Sequence, residues 1–311
     1  MTHPEQTALV EAAGALVRWD VLGEPGPVTE VHEQQRAAAW LWELTEDPAV
    51  LAAVHRLARL NWAQSWWPAS TVAGVPPLHP ALLAAEHAVA TAAVSHLLDD
   101  EQATERALSA LLPLPLAALS GHAEALVLAE ELAELAEDFG VTPPTPTAAL
   151  TREGFALAAG ADTRPDGVVM QQGSALVDWS MVPAGAVDAA AEATWFILRR
   201  NGKTLLEVTA RPAPGGVPPR LAAQFGPIDL PLEPTPAGAL TGSIPLPANA
   251  LLLPADQRVL TVYAPGFAEP APPDPAAADR RAALIAHART RLDDPAATLT
   301  ERTARLLWSG A

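Results

Sequence analysis

Ala193-Thr194-Trp195-Phe196-Ile197-Leu198-Arg199-Arg200, then Asn201-Gly202, then Lys203-Thr204-Leu205-Leu206-Glu207-Val208-Thr209-Ala210 is the stretch on which the fold class turns. β-Branched and aromatic residues flank an Asn-Gly step. Both central residues of a type I′ turn need positive φ, and Asn-Gly is the pair that adopts it most readily. The spacing therefore predicts a β-hairpin. Working outward, short strands are expected near residues 167–171, 175–179, 220–225, 228–232, 239–246 and 257–263, with proline and glycine turns between them. That rhythm is the one expected of an antiparallel β-sandwich, partly immunoglobulin-like. Pro231, Pro245 and Pro247 argue that several of these strands lie at edges or carry bulges, since proline gives no ladder donor.

Upstream, the period changes. Val31, Ala38, Leu41 and Trp42 recur on a rough helical period over residues 29–45, and Asp47-Pro48 supplies an N-cap followed by proline at the first helical position. The next helix should bury Leu51, Val54, Leu57, Ala58 and Trp62 and stop before Pro68. His79-Pro80 opens an alanine-rich helix to Leu98, Asp99 caps another, and a last one runs from about His122 to Phe139 with Gly140 as its C′ residue. The expected fold class is multidomain α and β. An all-α N-terminal helical bundle fills residues 1–140, and a proline-rich linker 141–149. An antiparallel β-sandwich follows over 150–269, then a proline-rich linker and short C-terminal helical tail over 270–311.

Composition narrows the function classes. The 311 residues include no cysteine, which excludes thiolate metal sites, disulfides and a cysteine nucleophile. The net charge is -17, and residues 1–150 carry -15 of it, with 20 acids against 5 arginines. Such a surface repels phosphate backbones and anionic lipid, so neither nucleic acid nor membrane is expected as a partner. The dominance of arginine over lysine, with abundant alanine and proline, is the composition of a GC-rich genome such as an actinobacterial one. A start without an apolar leader and the lack of a long apolar run read as a cytoplasmic protein. There is no Gly-x-Ser-x-Gly elbow, His-Glu-x-x-His or phosphate-cradling glycine loop, so no cofactor is expected.

Three constellations remain. Glu130, Glu134, Glu137 and Asp138 recur at three- and four-residue spacing on one helix, where like charges repel and a basic protein partner would relieve them. Tryptophans crowd the same half, and Trp66 and Trp67, adjacent on a helix and so 100° apart, cannot share one buried stripe. These six residues are the expected partner-binding set of a non-enzymatic scaffold or adaptor. The alternative is a metal-assisted or acid–base enzyme built on His96, Asp99, Asp100 and Glu105, since clustered imidazole and carboxylate suit a divalent ion or a proton-transfer pair.

Overall fold

The structure, a computed structural model, describes residues 3–23, 26–142, 144, 166–215, 219–247, 254, 257–269 and 274–309. The chain divides into two compact units. The first comprises Met1–Trp67, Leu78–Thr151 and Arg289–Ala311; the second comprises Pro68–Pro77 and Arg152–Ala288. Most of the expected linkers, residues 143, 145–149 and 270–273, lie outside the described residues.

The N-terminal unit is not the expected all-helical bundle. It opens with an antiparallel three-stranded sheet, β1 (Thr7–Ala12), β2 (Ala15–Asp20) and β3 (Val28–Val31), in that order. Alternation is the cause: Ala8, Val10 and Ala12 on β1, with Ala15, Val17 and Trp19 on β2, are buried on one face. Ala13 and Gly14 form the turn with φ of 55° and 70°, the same pair of positive angles as Asn201 and Gly202 at 52° and 76°. Gly14 has a second reason to be glycine, because a Cβ there would lie 2.6 Å from the Glu33 carbonyl oxygen.

Five helices follow, α1 (Gln34–Glu46), α2 (Pro48–Trp66), α3 (Pro80–Ala93), α4 (Ala103–Ser109) and α5 (Ala123–Asp138). The expected cap of α2 is present: the Asp47 carboxylate accepts from the Ala49 and Val50 amides. Val54, Leu57, Ala58 and Trp62 are buried on α2 as its period requires. Gly140, at φ 64°, ends α5 with its own N–H on Glu137 O and that of Val141 on Ala136 O. Polar side chains tie α2 to the sheet and to α3. Trp62 Nε1 donates to Glu5 O at 2.8 Å and Asn61 Nδ2 to Leu9 O at 3.2 Å. The Asn61 Oδ1 atom lies 2.8 Å from His87 Nε2. Because Asn61 spends its amide protons on Leu9, it accepts from His87, which fixes the proton of the neutral ring on Nε2.

The second unit is one seven-stranded antiparallel sheet, not two facing sheets. Its strands are β4 (Val168–Leu176), β5 (Glu192–Arg200), β6 (Lys203–Ala210), β7 (Leu221–Phe225), β8 (Ile228–Pro234), β9 (Leu240–Pro245) and β10 (Leu260–Tyr263). The order is β10-β7-β8-β9-β6-β5-β4, and the two outer strands β4 and β10 come back into contact, so the sheet nearly closes as a barrel. The β5–β6 hairpin is as expected, with Arg200 opposite Lys203. The sandwich expectation failed at β8, a strand that pairs with β7 along Ile228–Leu232 and then with β9 at Glu233 and Pro234. One strand thus carries the ladder onward, and among the described residues of this unit no second sheet forms. Gly242 permits that turn of the sheet, since a Cβ there would sit 2.5 Å from Pro231 O. The interior is filled by Trp195, Ile197, Leu206, Phe225, Leu230 and Val262, with the Trp195 and Phe225 rings 4.7 Å apart.

Among the described residues, two charged side chains are buried in this unit. Asp188, 1 % exposed, accepts from the Ser70 and Thr71 hydroxyls and from the amides of Thr71, Ala190 and Ala191. It fastens the excursion Pro68–Pro77 to the barrel. Arg281, on α6 (Ala277–Asp293), stacks 4.9 Å over the Trp179 ring and donates to Val177 O. Burial lowers its pKa to about 10, with the charge of Asp178 acting the other way. The last helix, α7 (Leu299–Ser309), belongs to the N-terminal unit and packs on α3.

Candidate functional site

α5 forms because Ala125, Leu128, Leu132 and Ala136 make a buried stripe at helical spacing. The opposite face is exposed and carries Glu130, Glu134, Glu137 and Asp138, none of which forms an ion pair among the described residues. Five arginines of this unit pair with other acids. Arg18 pairs with Glu30, Arg36 with Asp99, Arg56 with Glu86, Arg106 with Asp100 and Arg305 with Asp293. Three of the four acids also sit in the last turns of the helix, where the dipole presents its negative end. Leu126, Val127 and Phe139, all exposed, flank them.

The two tryptophans of the expected set, Trp66 and Trp67, differ in burial. Trp67 is buried and meets the Trp62 ring edge-on at 6.3 Å, and Trp66 is half-buried. The exposed indoles are Trp40 and Trp42 on α1, with Trp42 Nε1 donating to Ala39 O of its own helix. α1 buries only Ala37 and Leu44, which is why both indoles face solvent.

The residues of the metal or acid–base alternative are drawn apart by separate partners. His96 Nε2 is 3.2 Å from Glu43 Oε2. Asp99 Oδ1 accepts from the Gly14 amide at 3.0 Å and lies 2.8 Å from Arg36 Nε, while His32 Nε2 is 3.4 Å from Oδ2. Asp99 is thus a latch across the Ala13-Gly14 turn. Asp100 accepts from the Gln102 amide and pairs with Arg106, and Glu105 is exposed in the first turn of α4. Among the described residues, no three histidine or carboxylate side chains converge as metal ligands.

A cleft of about 690 Å³ in the N-terminal unit was not expected. α2 gives it Arg56 and Arg59, α5 gives Glu124, Val127, Leu128 and Glu131, and the segment into α7 gives Arg291, Leu299 and Arg302. Its floor is a buried charge network. The Glu86 carboxylate, 2 % exposed, accepts from the first amides of α7, Leu299 N at 3.0 Å and Thr300 N at 2.8 Å. Glu301, 3 % exposed, receives both Nε and a terminal nitrogen of Arg291, at 3.1 and 2.7 Å. It also closes a capping box, accepting from the Thr298 amide while its own amide donates to the Thr298 hydroxyl. Burial and the neighbouring Arg291 hold Arg59 below its ordinary pKa. Burial likewise opposes the charge on Arg291, but Glu301 and Asp294 more than offset it and hold its pKa high.

No known family, characterised protein or solved structure matches this chain. Among the described residues, no helix is long and apolar enough to cross a membrane.

Sequence reasoning missed the cleft because its residues come from four distant segments. Two local traces were present. Glu86 falls four residues after Leu82, on the apolar stripe of α3, where a carboxylate needs a partner. Thr298-Leu299-Thr300-Glu301 is the capping-box pattern.

Three histidines of the unit give it a pH dependence. Burial lowers the pKa of His87 and His79, and burial with the charges of Arg59 and Arg291 lowers that of His55, which stacks 4.9 Å from Trp19. A base whose folded pKa lies below its unfolded value of 6.5 binds fewer protons when folded. Its contribution is complete above the unfolded pKa and is lost as pH falls from there through the folded value. Thermal unfolding should therefore show a falling Tm between about pH 7 and about pH 5, and His87→Gln should flatten that slope. A Tm constant over this range would refute the assignment.

Proposed function

We propose that this is a non-enzymatic interaction protein, cytoplasmic, whose acidic N-terminal unit holds a basic protein segment on the outer face of α5. The observation that carries the reading is that, among the described residues, this face keeps four exposed carboxylates without a cation while arginines elsewhere in the unit neutralise their neighbours. The repulsion among Glu130, Glu134, Glu137 and Asp138, added to the negative helix end, costs a few tenths of a kcal/mol for each pair. A partner with lysine or arginine at helical or extended spacing removes that cost. Exposed Leu126, Val127 and Phe139 add apolar surface for such a partner to cover.

Two measurements test this. On the isolated protein, Glu134→Lys with Glu137→Lys should raise Tm slightly, since it removes like-charge contacts and places cations at the helix C-terminus. In a low-salt pull-down from the host, a protein held at near-equal stoichiometry should be released by high salt and lost with Glu130→Arg and Glu134→Arg together. Retention of the same protein by the charge-reversed variant would sink the reading.

A further inference from the structure

The cleft of the N-terminal unit has a volume, about 690 Å³, within the range that suits a small organic ligand. Its charges sort into spent and available ones. The start of α7 would ordinarily attract an anion, but Glu86 already takes both of its leading amides. Arg291 is engaged by Glu301 and Asp294, and Arg302 by Glu124. Arg56 differs: it donates one hydrogen bond, to Glu86 at 3.2 Å, and half of its side chain is exposed. Glu131, on α5, lines the same cleft, is exposed and forms no ion pair among the described residues. Two opposite charges therefore share one cleft on different helices without pairing with each other. Apolar Val127, Leu128 and Leu299 make up much of the remaining lining.

We propose that this cleft binds a small zwitterion, a free amino acid or short peptide, with its carboxylate on Arg56 and its ammonium on Glu131. A guanidinium with unspent donors accommodates a carboxylate in two parallel hydrogen bonds, and an unpaired carboxylate is the complement of an ammonium. The aliphatic lining takes the side chains. The buried Glu86 and Glu301 networks hold the walls in place before the ligand arrives, which lowers the ordering cost of binding. The cleft meets α5 along Glu124, Val127 and Glu131, next to the proposed partner face of Glu130, Glu134, Glu137 and Asp138, and the two share Val127.

The test is calorimetric titration and thermal shift with the free amino acids and a dipeptide set, each dipeptide also supplied N-acetylated and C-amidated. At least one free compound should bind saturably and raise Tm by mass action. Either cap should weaken it by about tenfold or more. Arg56→Gln should erase the difference between free and amidated ligand, and Glu131→Gln that between free and acetylated ligand. If Arg56→Gln impairs folding through Glu86, the amidated ligand still probes the carboxylate contact on the unaltered protein. Absence of binding at millimolar concentration across the set, or equal binding of free and capped forms, overturns the proposal.

Discussion

Glu301→Ala should destabilise the N-terminal unit by about 3–5 kcal/mol and lower its Tm by on the order of 10 °C. The reason is what the substitution leaves behind. Arg291 loses a two-point partner, Arg59 loses the carboxylate 3.8 Å from it, and the Thr298 amide loses its cap acceptor. Two guanidiniums then sit in a largely dry setting without that counter-charge, with Asp294 alone to answer Arg291. Replacing both partners, with Arg291→Met and Glu301→Leu, should cost less than Glu301→Ala alone, because a buried pair exchanged for apolar side chains carries little net penalty. The double-mutant cycle measured by denaturant unfolding decides it. Additive losses would mean that the two side chains do not act as a pair.

The second large effect falls in the barrel unit. Asp188→Ala removes one carboxylate that serves five donors, and its cavity is closed to water at 1 % exposure. Several buried N–H and O–H groups would be left without an acceptor, for an expected loss of about 3–5 kcal/mol. Asp188→Asn should be nearly as harmful, since its amide nitrogen would present donors to donors. Proteolysis should then cut within Pro68–Pro77, the excursion that Asp188 fastens, before it cuts the strands. An unchanged cleavage pattern in Asp188→Asn would show that other contacts hold the excursion.

How far the fold could be read from sequence depended on where the information sits. The hairpin around Asn201-Gly202 and the cap at Asp47 were legible because each is determined by a few adjacent residues whose backbone needs are unusual. The Ala13-Gly14 turn has the same geometry, but alanine at its first position carries no turn signature, and the surrounding alanines and leucines suit a helix as well as a strand. The closure of the barrel was not legible for a different reason. It rests on β8 passing from β7 to β9, a non-local choice made by packing and by Gly242, whereas turn spacing fits a sandwich and a barrel equally.

The acidic face of α5 was legible as a pattern, and its four carboxylates are exposed and unpaired among the described residues. The tryptophans show the limit of composition. Indole density marks a place where something large must be buried, and only the packing tells that Trp67 is inside while Trp42 is outside. The cleft was illegible because Arg59 and Glu86 lie more than 200 residues before Arg291 and Glu301 in the chain.

The interleaving of the two units has a consequence for synthesis. The barrel residues 152–288 emerge before residues 289–309, yet the N-terminal unit needs that last stretch to give Glu86, Arg59 and Leu82 their neighbours around α7. During translation the N-terminal unit cannot be completed until residues 289–309 have followed the barrel residues 152–288. A stalled or prematurely ended chain would expose the incomplete unit to chaperones and proteases, which makes arrival of α7 the checkpoint at which the N-terminal unit becomes a finished structure.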